Sequence, residues 1–239
     1  METMIALGVM TILITGFLAV FGPATGSIRR ALSVEEANRL QSTLEREMSI
    51  IRPGEIVDGV TNPTSFDKAF QWILESYSPQ KAVILYKYKG DPEKSRDDGT
   101  LEPFLGDGVA GKEYIVQPMA RLQDDSLLAA DFEAISGRVY FVTMTQLEQD
   151  GANGLKVGTP GEIENPPNDS GDPDWSQFPT DSADYVDAVI ALEAGFYSIP
   201  TVSLDYITTQ IDTSLPKYTD PADPEYIRPD FTRNLGVRR

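Results

Sequence analysis

The chain has 239 residues, with 20 Lys and Arg against 37 Asp and Glu, for a net charge of −17. It contains no Cys and no His, which excludes disulfides, zinc or haem ligation by those side chains, and any Cys or Ser-His nucleophile. Residues 1–52 carry five acids (Glu2, Glu35, Glu36, Glu45, Glu47) and five bases (Arg29, Arg30, Arg39, Arg46, Arg52), so the whole negative charge lies in residues 53–239. An acidic body of that kind repels nucleic acid, and no nucleic-acid partner is expected. The length holds a membrane segment and one domain of roughly 180 residues.

Met4 to Phe21 is free of charge. At about 1.5 Å per residue the run just spans a hydrocarbon core. Ala6, Gly8, Gly16 and Ala19 are small and permit close helix–helix approach. Gly22 and Pro23 then interrupt the helix, because proline removes an intrahelical hydrogen bond. Helix resumes near Ser27, and Ile28, Leu32, Ala37, Leu40, Leu44, Met48 and Ile51 form one apolar stripe. Arg52-Pro53-Gly54 is a firm stop. A continuous helix from Glu2 to Ile51 would measure roughly 75 Å, and a helix of that length needs a partner. The expected organisation is a hydrophobic transmembrane and assembly helix over 1–26, an amphipathic stalk over 27–52, an acidic α+β body over 53–212 and a Pro-rich extended tail over 213–239.

Glu2-Thr3-Met4-Ile5-Ala6-Leu7-Gly8-Val9-Met10, with the apolar run and the amphipathic stripe in register behind it, resembles the N-terminus of type IV pilin-like proteins. These include the type II secretion pseudopilins, and the chain is similar more loosely to pilin-like cassette proteins of Verrucomicrobia. The resemblance is confined to the N-terminal helix and stalk. It implies an α+β fold in which one long N-terminal helix packs on a small antiparallel sheet. It implies a structural filament subunit, held by a single pass in the inner membrane before assembly, with a periplasmic or cell-surface body and no catalysis. Its partners would be copies of itself or related pilin-like subunits, met through the N-terminal helix. The family's short basic leader would lie upstream of Met1. Glu2 would be the assembly residue, its carboxylate pairing with the α-amine that processing frees. Burying such a pair offsets the desolvation of each ion, whereas a lone charge in apolar surroundings is costly. Three other readings stay open: Glu2 resting in the headgroup region, a secretory signal peptide ending at Ala24-Thr25-Gly26, and a membrane-anchored extracytoplasmic binding protein that never polymerises.

In the body, Phe66, Ala69, Phe70, Ile73, Leu74 and Tyr77 make a short amphipathic helix capped by Thr64 or Ser65. Lys81–Lys89 reads as a strand ended by Gly90-Asp91-Pro92, and residues 90–111 as a polar loop. Tyr114–Leu122, Arg138–Leu147, Asp187–Leu192 and Thr201–Ile207 are further strands, with a short helix or turn over Ser126–Ile135. The acids of the 90–111 loop are read as solvated rather than catalytic.

Residues 149–185 form a long loop rich in Gly, Pro and acids. Loops of this length are commonly functional or disordered. Asn168, Asp169, Asp172 and Asp174 supply the hard oxygens that Ca²⁺ prefers, although the spacing is not that of an EF-hand; the alternative is a solvated acidic loop. Trp175 and Phe178 would pack the loop end down or meet a partner. The tail, spaced by Pro216, Pro221, Pro224 and Pro229, ends in a basic cluster.

Overall fold

The computed structural model describes residues 10–11, 13–17, 21, 35, 38–57, 60, 62–149, 154–167 and 176–239. The chain divides into two compact units, Met1–Arg39 and Leu40–Arg239. In the first unit the described residues are helical. Thr15 Oγ1 donates to the Thr11 carbonyl oxygen one turn back, at 2.8 Å. Phe17 and Phe21 stack with ring centroids 3.9 Å apart, and Arg39 pairs with Glu35 at 2.9 Å. All three are the four-residue spacings that a helix brings onto one face.

The second unit is built on a seven-stranded sheet. Its strands are β1 (Val83–Ser95), β2 (Leu101–Pro103), β3 (Ile115–Leu122), β4 (Tyr140–Gln149), β5 (Leu155–Val157), β6 (Val189–Ser198) and β7 (Phe231–Arg238). They run in the order β2-β1-β4-β6-β7, with β3 beside β1 and β5 beside β4. Every pairing is antiparallel. The helices are α1 (Ser65–Glu75), α2 (Leu128–Phe132), α3 (Leu204–Gln210) and α4 (Pro216–Thr219), together with a helical segment over 40–48.

Alternation along the central strands sends successive side chains to opposite faces. On one face Val83, Leu85, Val142, Met144, Leu192 and Phe196 meet Leu40, Leu44, Phe66, Phe70 and Ile73. On the other Ile84, Tyr86, Tyr88, Phe141 and Tyr197 meet Leu128, Ile207 and Tyr218. The sheet is therefore covered on both sides, in a three-layer arrangement. Each buried Leu or Phe contributes about 1.5–3 kcal/mol through area removed from water. α1 starts where expected: Thr64 caps it, its side chain accepting from the Asp67 amide at 3.3 Å while Asp67 accepts from the Thr64 amide at 2.7 Å.

The packing plan differs from the expected one. The body is a seven-stranded antiparallel sheet with short helices on both faces, not a long helix laid on a small sheet. Among the described residues no helix exceeds the 11 residues of α1. The expected single pass through an inner membrane is corrected as well: no helix of the described residues is long and apolar enough to cross one. A span needs about 20 consecutive apolar residues in one helix.

Smaller differences have local causes. β1 does not stop at Gly90-Asp91-Pro92 but continues to Ser95, pairing Gly90 with Pro103 and Asp91 with Glu102 before its register shifts. Proline is tolerated at such an irregularity. Gly90 is required there, since a Cβ would lie 2.8 Å from Leu101 Cβ. Thr201–Ile207 is not a strand; residues 204–210 form α3. The spacing of Leu204, Ile207 and Ile211, which pack in one cluster, is helical and overrides the local alternation. The chain's last segment enters the sheet as β7, paired with β6 from Phe231 to Arg238.

Candidate functional site

The expected site residues Glu2, Gly22, Pro23, Asn168, Asp169, Asp172 and Asp174 lie outside the described residues. Among the described residues no group of three or more carboxylates is placed to hold a metal ion. Both ends of the 149–185 loop are tied down. Asn165, 2% exposed, donates through Nδ2 to the Ser176 and Asp184 carbonyl oxygens at 2.7 and 2.9 Å and accepts from the Val186 amide at 3.0 Å. Gln146 bonds the Glu164 backbone in both directions. Phe178 is half exposed.

The N-terminal unit offers an open apolar surface. Met10, Leu13, Ile14, Phe17 and Phe21 are all large, helical and between 48% and 67% exposed. Exposed apolar groups in such density mark a surface that something else covers.

The body holds a cleft of about 840 Å³. It lies where the segment 47–57 and α1 meet the turn after β1, the end of β3 and the loop beyond it. Glu47, almost wholly buried, accepts from Arg52 Nε at 3.0 Å and Nη2 at 2.7 Å. Arg52 Nη1 donates to the Asp98 carbonyl oxygen at 3.3 Å. Lys68 Nζ reaches Glu55 at 2.7 Å and the Ile50 carbonyl oxygen at 3.2 Å, and lies 4.9 Å over the Trp72 ring. Burial holds the Lys68 ammonium below its ordinary pKa, partly offset by Glu55.

Arg121 is the second centre. Its Nε donates to Asp131 at 3.0 Å, Nη1 to Asp125 at 3.0 Å and Nη2 to Asp98 at 2.9 Å. Asp131 is fully buried and also accepts from Arg96 Nη1 at 2.6 Å and from the Tyr86 hydroxyl. Burial first, and then the Asp131 charge, pushes the Tyr86 phenol well above its ordinary pKa, so it stays a donor. The same causes raise Tyr88 to about 12. Burial alone would raise the Asp98 carboxyl. Hydrogen bonds from Thr100 and the Arg121 guanidinium outweigh it and hold that carboxyl below its ordinary value.

Each of these ions has partners, which is the condition under which a buried charge is tolerated. The partners come from segments far apart in the chain: 47–55, 68, 86, 96–98, 121–125 and 131. Chemically the arrangement is a clamp that fastens the chain following the helical segment 40–48 to the end of the sheet. Its sequence signal is a charge where the period calls for an apolar residue. Lys68 sits between Phe66 and Ala69 on α1, Glu47 precedes Met48, and Arg121 alternates with Met119 on β3.

No family model, curated protein or solved structure matches this chain.

Proposed function

We propose that the chain is a structural subunit of a helical filament, assembled through residues 1–39, with residues 40–239 as the folded body that each copy carries. The observation that supports this most directly is the set of exposed apolar side chains at Met10, Leu13, Ile14, Phe17 and Phe21. The run around them has no charged face, so it needs cover on every side rather than along one stripe. Equivalent helices from other copies supply such cover. Burying five side chains at about 1.5–3 kcal/mol each is of the same order as the roughly 4–15 kcal/mol that association costs. Glu2, the acid that opens this run, would set axial register by pairing with an amine in the assembled core.

Sedimentation and electron microscopy of the full chain test the proposal. Wild-type protein is expected to form filaments. Glu2→Ala is expected to keep the melting temperature of the body while forming none. Filaments at normal yield from Glu2→Ala would remove the role given to Glu2, and a wild-type chain that stays monomeric at all concentrations would remove the filament.

A further inference from the structure

A second cavity of about 240 Å³ opens on the sheet face opposite the helical segment 40–48. Its floor is a row in register across three strands: Thr143 of β4, Gly195 of β6 and Thr232 of β7. Thr145 and Glu193 form the next row down. Tyr77, Tyr197, Tyr218 and Tyr226 stand around it.

Gly195 is what opens the floor. A glycine in a strand interior weakens the strand, and it commonly marks a place where another group must approach the backbone closely. A Cβ at this position would lie 3.1 Å from Thr143 Oγ1 and 3.5 Å from both Pro229 Cβ and Tyr197 Cε2, so it would take up the base of the cavity.

The lining is rich in hydroxyls. The Tyr77 hydroxyl lies 2.9 Å from Thr145 Oγ1, and Thr143 lines the cavity beside them. Burial raises the pKa of the Tyr77 and Tyr197 phenols, with Tyr226 adding to the effect on each, so both remain neutral donors. Among the described residues Glu193 is the lining carboxylate and no Lys or Arg lines the cavity. An anion would meet Glu193 without a compensating cation. A quaternary ammonium needs free aromatic faces, and two of the four lining rings are already engaged: Tyr197 stacks on Phe141 at 4.6 Å, Tyr218 meets both edge-on, and Lys217 Nζ sits 5.0 Å over the Tyr218 ring. A neutral ligand with many hydroxyls satisfies the convergent Tyr and Thr groups and can donate to Glu193. The volume equals about eight waters at ~30 Å³ each and falls below the roughly 300–1,000 Å³ of drug-sized sites. That size suits one sugar ring.

We propose that this cavity is a binding site for a single neutral saccharide unit, floored by Gly195 and oriented by Glu193 and the Tyr77 and Tyr226 hydroxyls. The test is saturation-transfer NMR on the full chain with methyl glucoside, methyl galactoside, methyl mannoside and N-acetylglucosamine, with choline and inorganic phosphate as the charged alternatives. At least one saccharide is expected to receive saturation, with a Kd at or below ~1 mM. Tyr226→Phe is expected to weaken it about fivefold, the loss of one hydrogen bond. Glu193→Gln should weaken it by at least as much, and Gly195→Ala should abolish it. The two conservative variants decide the matter if Gly195→Ala fails to fold. Saturation of choline or phosphate in place of every sugar would overturn the proposal, as would silence from all four sugars or sugar binding indifferent to Tyr226→Phe and Glu193→Gln.

Discussion

Asp131→Asn removes one charge from the centre of the buried network while keeping the side chain's shape. Asp131 is fully buried and takes three bonds: Arg96 Nη1 at 2.6 Å, Arg121 Nε at 3.0 Å and the Tyr86 hydroxyl. An amide can accept through only one oxygen, and its NH₂ must then face a donor. Breaking a buried ion pair from one side costs about 3–5 kcal/mol, because the other ion stays buried without its partner. Arg121 keeps Asp98 and Asp125, so the low end applies, about 3 kcal/mol. That is a large fraction of the roughly 5–15 kcal/mol by which domains are stable. Urea unfolding followed by circular dichroism should show the midpoint falling with an unchanged slope. Arg121→Met in the same background should then cost less than it does alone by the one shared ion pair, while still stranding Asp98 and Asp125. A loss below about 1 kcal/mol for Asp131→Asn, the size of an ordinary neutral hydrogen bond, would refute the clamp.

Two further outcomes follow from the same geometry. Because the folded Asp98 carboxyl titrates below its unfolded value of about 3.9, its contribution is present above that pH and is lost as pH falls through the folded value. Asp98→Asn should therefore be less stable than wild type at pH 7, and the gap should close as the pH approaches 2; a gap that is constant with pH would contradict the assignment. Gly90→Ala places a methyl 2.8 Å from Leu101 Cβ and should destabilise by about 1–3 kcal/mol, read as a lowered thermal midpoint. An unchanged midpoint would mean β2 is free to move away from β1.

Several elements were legible in the residues themselves. α1 shows its period in Phe66, Ala69, Phe70 and Ile73 and its start in Thr64. β4 shows its own in a β-branched and aromatic run. The rest was hidden for identifiable reasons. Gly90 and Pro92 look like a stop, yet a strand that needs close approach to Leu101 and then bulges can carry both. Phe231, Leu235 and Val237 alternate properly, but four preceding prolines masked the strand they open. The clamp is legible only as charges in wrong places. What pairs Arg121 with Asp98, or Arg96 with Asp131, is the sheet topology, which brings together residues 23 and 35 positions apart. The small cavity has the same origin, since Gly195 acquires meaning only beside Thr143 and Thr232.

The absence of cysteine makes one measurement especially direct. Leu13→Cys and Phe17→Cys each introduce a unique thiol on the exposed apolar surface, and Val202→Cys places one on an exposed position of the body. Mild oxidation of the full chain at filament-forming concentration should link copies covalently through position 13 or 17 and leave the Val202→Cys chain unlinked. Cross-linking at position 202 as readily as at 13 and 17, or at none of the three, would contradict assembly through residues 1–39.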